Sequence, residues 1–172
     1  MLRAQLAAAR HFRGGTNVRE VGRIVIGLLQ RVSEARVEVA GETVAAIDRG
    51  LLVLVGVERD DEEATGRRLA ERLAAYRVFA DEAGRMNLDV RQVAGAVLLV
   101  PQFTLAADTH RGNRPSFTPA AEPARGETLF NALVGDLRAL YPRVACGIFG
   151  ADMKVWLCND GPVTFRLEVR GR

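Results

Sequence analysis

From Val25 onward the apolar positions fall into short, regular runs. V-I-G-L-L-Q-R-V at 25–32 reads as a strand. R-V-E-V (36–39) and E-T-V-A-A-I (42–47) flank Ala40-Gly41, the pattern of a hairpin. G-L-L-V-L-V-G-V (50–57) is apolar throughout and predicts a central strand. Residues 60–78 predict a helix: Asp60 to Glu63 gather at its first turn, arginines follow, and Leu69, Leu73 and Tyr76 recur at helical spacing. A turn is expected over 81–88, a strand ending in polar residues over 96–105, and a loop over 106–117. A second amphipathic helix follows at 127–141, then strands at 144–149, 153–159 and 163–169. Because the strands arrive as adjacent hairpins and not in alternation with helices, the pattern predicts an α+β fold. Its sheet is mainly antiparallel and barrel-like, with two amphipathic helices. There is no internal repeat.

Composition places the chain among ordinary globular proteins. Of 172 residues, 48% are hydrophobic and 26% charged, which suits one domain with a proper core. No apolar run is long enough for a membrane span. The net charge of +3 is misleading, since residues 1–24 hold five arginines and one acid while the remainder is −1. Global charge therefore gives no support for nucleic-acid binding by the folded part, and any such claim rests on local clusters. Residues 1–24 are Ala- and Arg-rich and broken by Gly14-Gly15. They read as an appendage to a single domain at 25–172: a disordered tail or non-native start, an organelle-targeting peptide, or a basic arm. Cys146 and Cys158 form no metal or redox motif, read as buried reduced thiols, and fit a reducing, cytoplasmic setting.

No familiar catalytic kit is present. His110 is the single histidine after residue 24 and stands in a Gly/Arg loop where a solvated role is the default. The acids at 60–63 are explained by the helix start, and no metal site or cofactor is expected. Catalysis, if any, must come from positioning and main-chain dipoles. Three stretches stand out. P-Q-F-T (101–104) closes a strand with unusual polarity. T-H-R-G-N-R-P-S-F (109–117) is either a solvated loop or a phosphate contact made by Arg111 and Arg114, with Phe117 suited to base stacking. In N-D-G-P-V-T-F (159–165), Gly161-Pro162 is either a turn before a strand or a rigid backbone corner.

Seven blocks in order carry a resemblance: L-L-Q-R-V-S-E-A-R-V-E-V, G-L-L-V-L-V-G-V, F-A-D-E-A-G-R-M-N-L, Q-F-T-L, D-T-H-R-G-N-R-P-S-F, G-I-F-G-A-D-M-K-V and N-D-G-P-V-T. Together they resemble the D-aminoacyl-tRNA deacylase family from about Val25 to about Leu167. The resemblance implies a homodimeric esterase of that fold. It would hydrolyse the ester between a D-amino acid and the terminal ribose of tRNA, spare L-aminoacyl-tRNA and let glycyl-tRNA leak through. Gly161-Pro162 would be a Gly-cisPro element reaching into the partner subunit's pocket, its carbonyls forming a wall that an L side chain strikes.

Gln102, Phe103 and Thr104 would cradle the ester and terminal adenosine. Phe117, Phe149, Met153 and Thr164 would line the pocket, and Arg111 and Arg114 would meet acceptor-stem phosphates. One departure is Pro101, where the family has serine. P-Q is reminiscent of a related class with P-Q-A-T, but Phe103 and the V-T after Gly-Pro favour the main class. Main-chain N–H groups would hold the oxyanion, with water or the substrate's own hydroxyl shuttling the proton; Thr104 as nucleophile is the alternative. The rival classes are a catalytically dead RNA-binding dimer and an esterase of small D-amino-acid esters.

Overall fold

The computed structural model describes residues 24–110 and 112–171. Its spine is β1 (Ile24–Val39), which is followed by β2 (Glu42–Ile47), β3 (Gly50–Val57) and α1 (Glu63–Ala75). Then come the short pair β4 (Phe79–Ala80) and β5 (Met86–Leu88), β6 (Ala96–Pro101) and a 3-10 turn at Phe103–Ala106. The chain closes with α2 (Pro123–Leu140), β7 (Val144–Cys146) and β8 (Met153–Arg170). The main sheet runs β2-β1-β3-β6-β7, with β8 on the remaining edge of β1. Strand β1 pairs with β3 through residues 25–32 and with β2 through 35–39, while β8 follows it from Ile24 to Val39.

Four of the six strand pairs are antiparallel, in line with the α+β reading. The other two, β3 with β6 and β6 with β7, are parallel. Each parallel pair is bridged by a helix-bearing crossover, α1 in the first and α2 in the second, as parallel neighbours require. The hairpin reading of the sequence does not anticipate these two units. Both helices are displaced from their expected bounds. α1 begins at Glu63 and stops before Tyr76, which instead packs edge-on against Phe165 with centroids 5.6 Å apart. α2 begins early because Pro123 stands at its start, where a missing N–H costs nothing.

Alternation along the all-apolar run 50–57 divides the core in two. Leu51, Val53 and Val55 face α1 and α2, meeting Leu69, Leu73, Phe130, Leu133 and Leu137. Leu52 faces the other way, joining Leu98 and Val100 against Val32, Val37 and Ile47. A strand buried on both faces must be apolar at every position. The outer edge of β8 is guarded from α1: Arg68 donates to the Arg170 carbonyl at 2.9 Å and Arg72 to the Glu168 carbonyl at 2.8 Å. Occupied carbonyls cannot template a foreign strand. Both cysteines are free; Cys146 is half-buried and Cys158 exposed. The second departs from the buried reading, because none of the described elements covers the outer face of β8 at 156–158. The appendage expected over 1–24 lies outside the described residues, except that Ile24 opens β1.

The turn between β3 and α1 holds a buried acid. Asp61 Oδ2 accepts the Glu58 N–H at 2.7 Å, and Oδ1 has no partner. Burial pushes the Asp61 carboxyl up to about 7, against the lowering effect of that N–H and with help from the neighbouring Glu58 charge. A carboxyl raised in the fold binds its proton more tightly there than in the unfolded chain. Its contribution is complete at acid pH and is lost as pH climbs through about 7. Urea midpoints should therefore fall between pH 5 and pH 8, and Asp61→Asn, which keeps the acceptor and cannot ionise, should flatten that slope. An unchanged slope in the variant would remove Asp61 as its source.

Candidate active site

Strand β6 delivers the first site stretch. The β6–β7 ladder ends with the Gly147 N–H to Leu99 carbonyl bond at 2.9 Å, and Pro101, two residues on, has no N–H to extend it. On the other side the Gln102 N–H still reaches the Val55 carbonyl at 2.7 Å. The chain then coils into the 3-10 turn against β3. Gly56 makes room for it: a Cβ there would lie 2.8 Å from Leu105 Cβ and 3.3 Å from the Gln102 carbonyl oxygen. Gln102 Nε2 donates to Thr104 Oγ1 at 2.5 Å, which fixes both side chains. The N–H groups of Phe103 and Thr104 open the turn and have no acceptor within it.

Beside this turn lies a cavity of about 440 Å³, walled by Pro101, Gln102, Phe103, Phe149, Met153 and Val155 among others. Four residues singled out from sequence thus come together: Gln102, Phe103, Phe149 and Met153. None of the lining side chains is ionisable. Phe149 is backed by Phe130 at a centroid distance of 6.3 Å. Thr104 adjoins through Gln102 but does not line the cavity. Phe117 stands outside it, packed on Phe103 with centroids 5.1 Å apart. Arg114 is on the exposed loop, and Arg111 lies outside the described residues.

The Gly-Pro stretch is elsewhere. Sequence patterning separates strands at 153–159 and 163–169, whereas the structure has one strand interrupted by a bulge. Thr164 pairs with Gln30 and Asn159 with Val32, so residues 160–163 loop out opposite Arg31 alone. The Gly161-Pro162 bond is cis. Gly161 has φ +147°, and a Cβ there would meet the Val163 nitrogen at 2.9 Å, so only glycine fits. Two residues to which the sequence assigned no role, Arg31 and Asn159 of the N-x-G-P stretch, hold the loop. Arg31 donates through Nε to the Asp160 carbonyl at 2.9 Å and through Nη1 to the Val78 carbonyl at 2.6 Å, and its guanidinium meets the Asp160 carboxylate at 3.4 Å.

Asn159 Oδ1 accepts the Val163 N–H at 2.7 Å, while Nδ2 donates to Thr164 Oγ1 at 2.9 Å. Thr164 is therefore part of this latch and not of the cavity wall. An Asn two residues before Gly-Pro is a local turn-former, and an arginine inside an apolar strand was the other available signal. Gly161 and Pro162 are both exposed. From Met153 at the cavity to Asn159 beside the loop is six strand steps, roughly 20 Å at the usual rise.

Relatives are numerous. The family model described as D-Tyr-tRNA(Tyr) deacylase matches residues 28–168. A D-aminoacyl-tRNA deacylase of Alkalilimnicola ehrlichii is 62% identical over 146 residues, covering 85% of this chain and 97% of that one. Another, of Stutzerimonas stutzeri, is 61% identical over 142 residues, covering 83% and 98%. Among solved structures, the c-Myc DNA Unwinding Element Binding Protein is 36% identical with a TM-score of 0.81, covering 85% of this chain and 99% of that one. The structure of a probable eukaryotic D-amino acid tRNA deacylase, 16% identical with a TM-score of 0.77 and covering 85% and 100%, shares the fold. With its cavity, its Gln-Phe-Thr turn and its Gly-Pro bulge set on that shared frame, the chain belongs to the D-Tyr-tRNA(Tyr) deacylase family, hydrolases of the ester in D-aminoacyl-tRNA.

Proposed function

We infer that the protein removes D-amino acids, and glycine, from tRNA as a homodimer in which each cavity is completed by the Gly161-Pro162 loop of the partner subunit. The observation that carries this is the division of the machinery. The cavity has no ionisable lining, and the exposed, doubly latched loop stands roughly 20 Å along β8 from its own cavity. A loop so firmly held at its base, with Gly161 and Pro162 themselves exposed, suits a neighbour's pocket. Trp156 and Leu157, exposed on the same strand, are apolar positions near the loop that a second protomer could cover.

In the cavity the terminal adenosine sits among Pro101, Phe103, Phe149 and Met153. The ester carbonyl faces the Phe103–Thr104 N–H groups, which take up charge as water adds to the carbonyl carbon. The leaving ribose oxygen collects its proton from water or the neighbouring ribose hydroxyl, since no lining residue can supply one. An aminoacyl ester is already activated, so positioning and oxyanion stabilisation suffice; one such donor is worth about 10²–10³ in rate. Handedness is read by main-chain atoms of the partner's loop, which leave room for a D side chain or for glycine and obstruct an L one. The work belongs to the cytoplasm, where tRNA is charged and the free thiols stay reduced.

Incubation with D- and L-tyrosyl-tRNA tests the reading. Ester loss should be rapid for the D form alone and should slow with added salt, and Arg114→Ala should reduce the salt slope by about 1. RNA binding without ester loss would instead indicate a dead module, and equal rates on free D-tyrosyl esters a small-molecule esterase. Thr104→Val should lower the rate about tenfold by freeing Gln102, the loss of roughly one hydrogen bond. Complete abolition in single-turnover kinetics would make Thr104 the nucleophile. Asn159→Ala strands the Val163 N–H and loosens the loop. The ratio of D to L hydrolysis should fall by about tenfold, equivalent to one unsatisfied group, with the ratio read from the same assay.

A further inference from the structure

Two phenyl rings are kept in water at the mouth of the cavity. Phe103 is 57% exposed and Phe117 43% exposed, and they meet at 5.1 Å with planes tilted by 58°. A lone exposed aromatic is unremarkable; a contacting pair beside an apolar cavity is a platform. Both rings are held from below. Phe103 opens the 3-10 turn, and Phe117 follows the Asp108–Ser116 bridge, whose two main-chain bonds are 2.8 and 2.9 Å. Ser116 Oγ and Thr118 Oγ1 lie 3.0 Å apart, and the Phe117 carbonyl accepts the Ala120 N–H at 3.0 Å. Such anchoring leaves little ordering entropy to be lost when something stacks there. Three residues before Phe117 stands Arg114, exposed and with no ion pair to any described residue.

We propose that the Phe103–Phe117 pair is a second base subsite, on which the nucleobase preceding the terminal adenosine of the tRNA end stacks while Arg114 meets the backbone beyond it. The inference rests on the deacylase reading and adds to it. The terminal nucleoside fills the cavity that Phe103 borders, and the strand leaving it must cross the rim where both rings are open. An aromatic platform followed by a cation is the arrangement that single-stranded nucleic acid favours, and stacking tolerates any base. The site therefore senses that the ester is borne by an oligonucleotide and not by a free nucleoside.

Two stable ligands isolate the stack. Both are 3′-(D-tyrosylamino)-3′-deoxyadenosines; one carries a 5′-methyl phosphate, the other a 5′-cytidylyl group, so that only the second presents the extra base. Wild-type protein should bind the cytidylyl ligand roughly 5- to 100-fold more tightly, the range of one stacked base. Phe117→Ala should bring that ratio close to one, and Phe117→Trp should preserve it. A wild-type ratio near one, or a full ratio in Phe117→Ala, overturns the second subsite. Failure of wild-type protein to hold either ligand, together with no loss of ester from D-tyrosyl-tRNA, overturns the deacylase reading itself and this inference with it.

Discussion

The structure depends on one ladder, the pairing of β1 with β8 along the whole length of β1. Both other partners of β1 sit on its opposite edge in succession, β3 along the first half and β2 along the second. A strand with a continuous neighbour on one side and two on the other cannot stay flat, because each neighbour imposes its own twist. The sheet therefore curls, and residues from both ends of the ladder enclose separate cores. That same ladder carries the bulge at 160–163. The ladder is regular from Thr164 to Arg170 but shifts register across the bulge and again between Val32 and Glu34, so the loop's direction is fixed by Arg31 and Asn159.

Chemistry at such a site differs in kind from that of a hydrolase with a titrating triad. Nothing lining the cavity ionises, so pH has little purchase on the reacting groups themselves. In the reading proposed above, the functional atoms are main-chain N–H groups at one end of a turn and main-chain carbonyls in a bulge, both held in place by the fold. Preorganised dipoles avoid reorganisation at the moment of reaction. Pro101 fits this economy. It ends the β6–β7 ladder, makes the cavity wall apolar and stiffens the approach to Gln102 without removing any bond the described structure uses.

Polarity buried elsewhere plays a different role. Asp61 sits under the turn that leads into α1, and Arg125 at the start of α2 donates to its carbonyl at 2.5 Å. The segment between Phe117 and α2 is tied to the same place by the Arg59 N–H to Pro119 carbonyl bond at 2.8 Å and the Ala121 N–H to Val57 carbonyl bond at 3.0 Å. One side of the cavity, at Ala121 and Pro123, is thus set by the β3–α1 junction. Packing there reaches the cavity wall through bonded backbone.

Local pattern alone determined the element types, the α+β class and the separation of apolar from polar faces, because hydrophobic period and turn residues act over a few positions. The family resemblance, and not the local pattern, marked Gln102, Phe103, Phe149 and Met153, which the cavity gathers. Parallel pairing of β3, β6 and β7 was not legible, because a crossover's hand and length are decided by what its helix packs against. Nor was the merging of two expected strands into β8: a Gly-Pro pair punctuates a turn or a bulge equally well, and only the unbroken partner β1 decides between them. Arg31 and Asn159 acquire their roles by standing opposite or beside that bulge, and Phe117 leaves the cavity for its rim because Phe103 is there to receive it. These are relations between residues far apart in the chain, and no property of either residue by itself contains them.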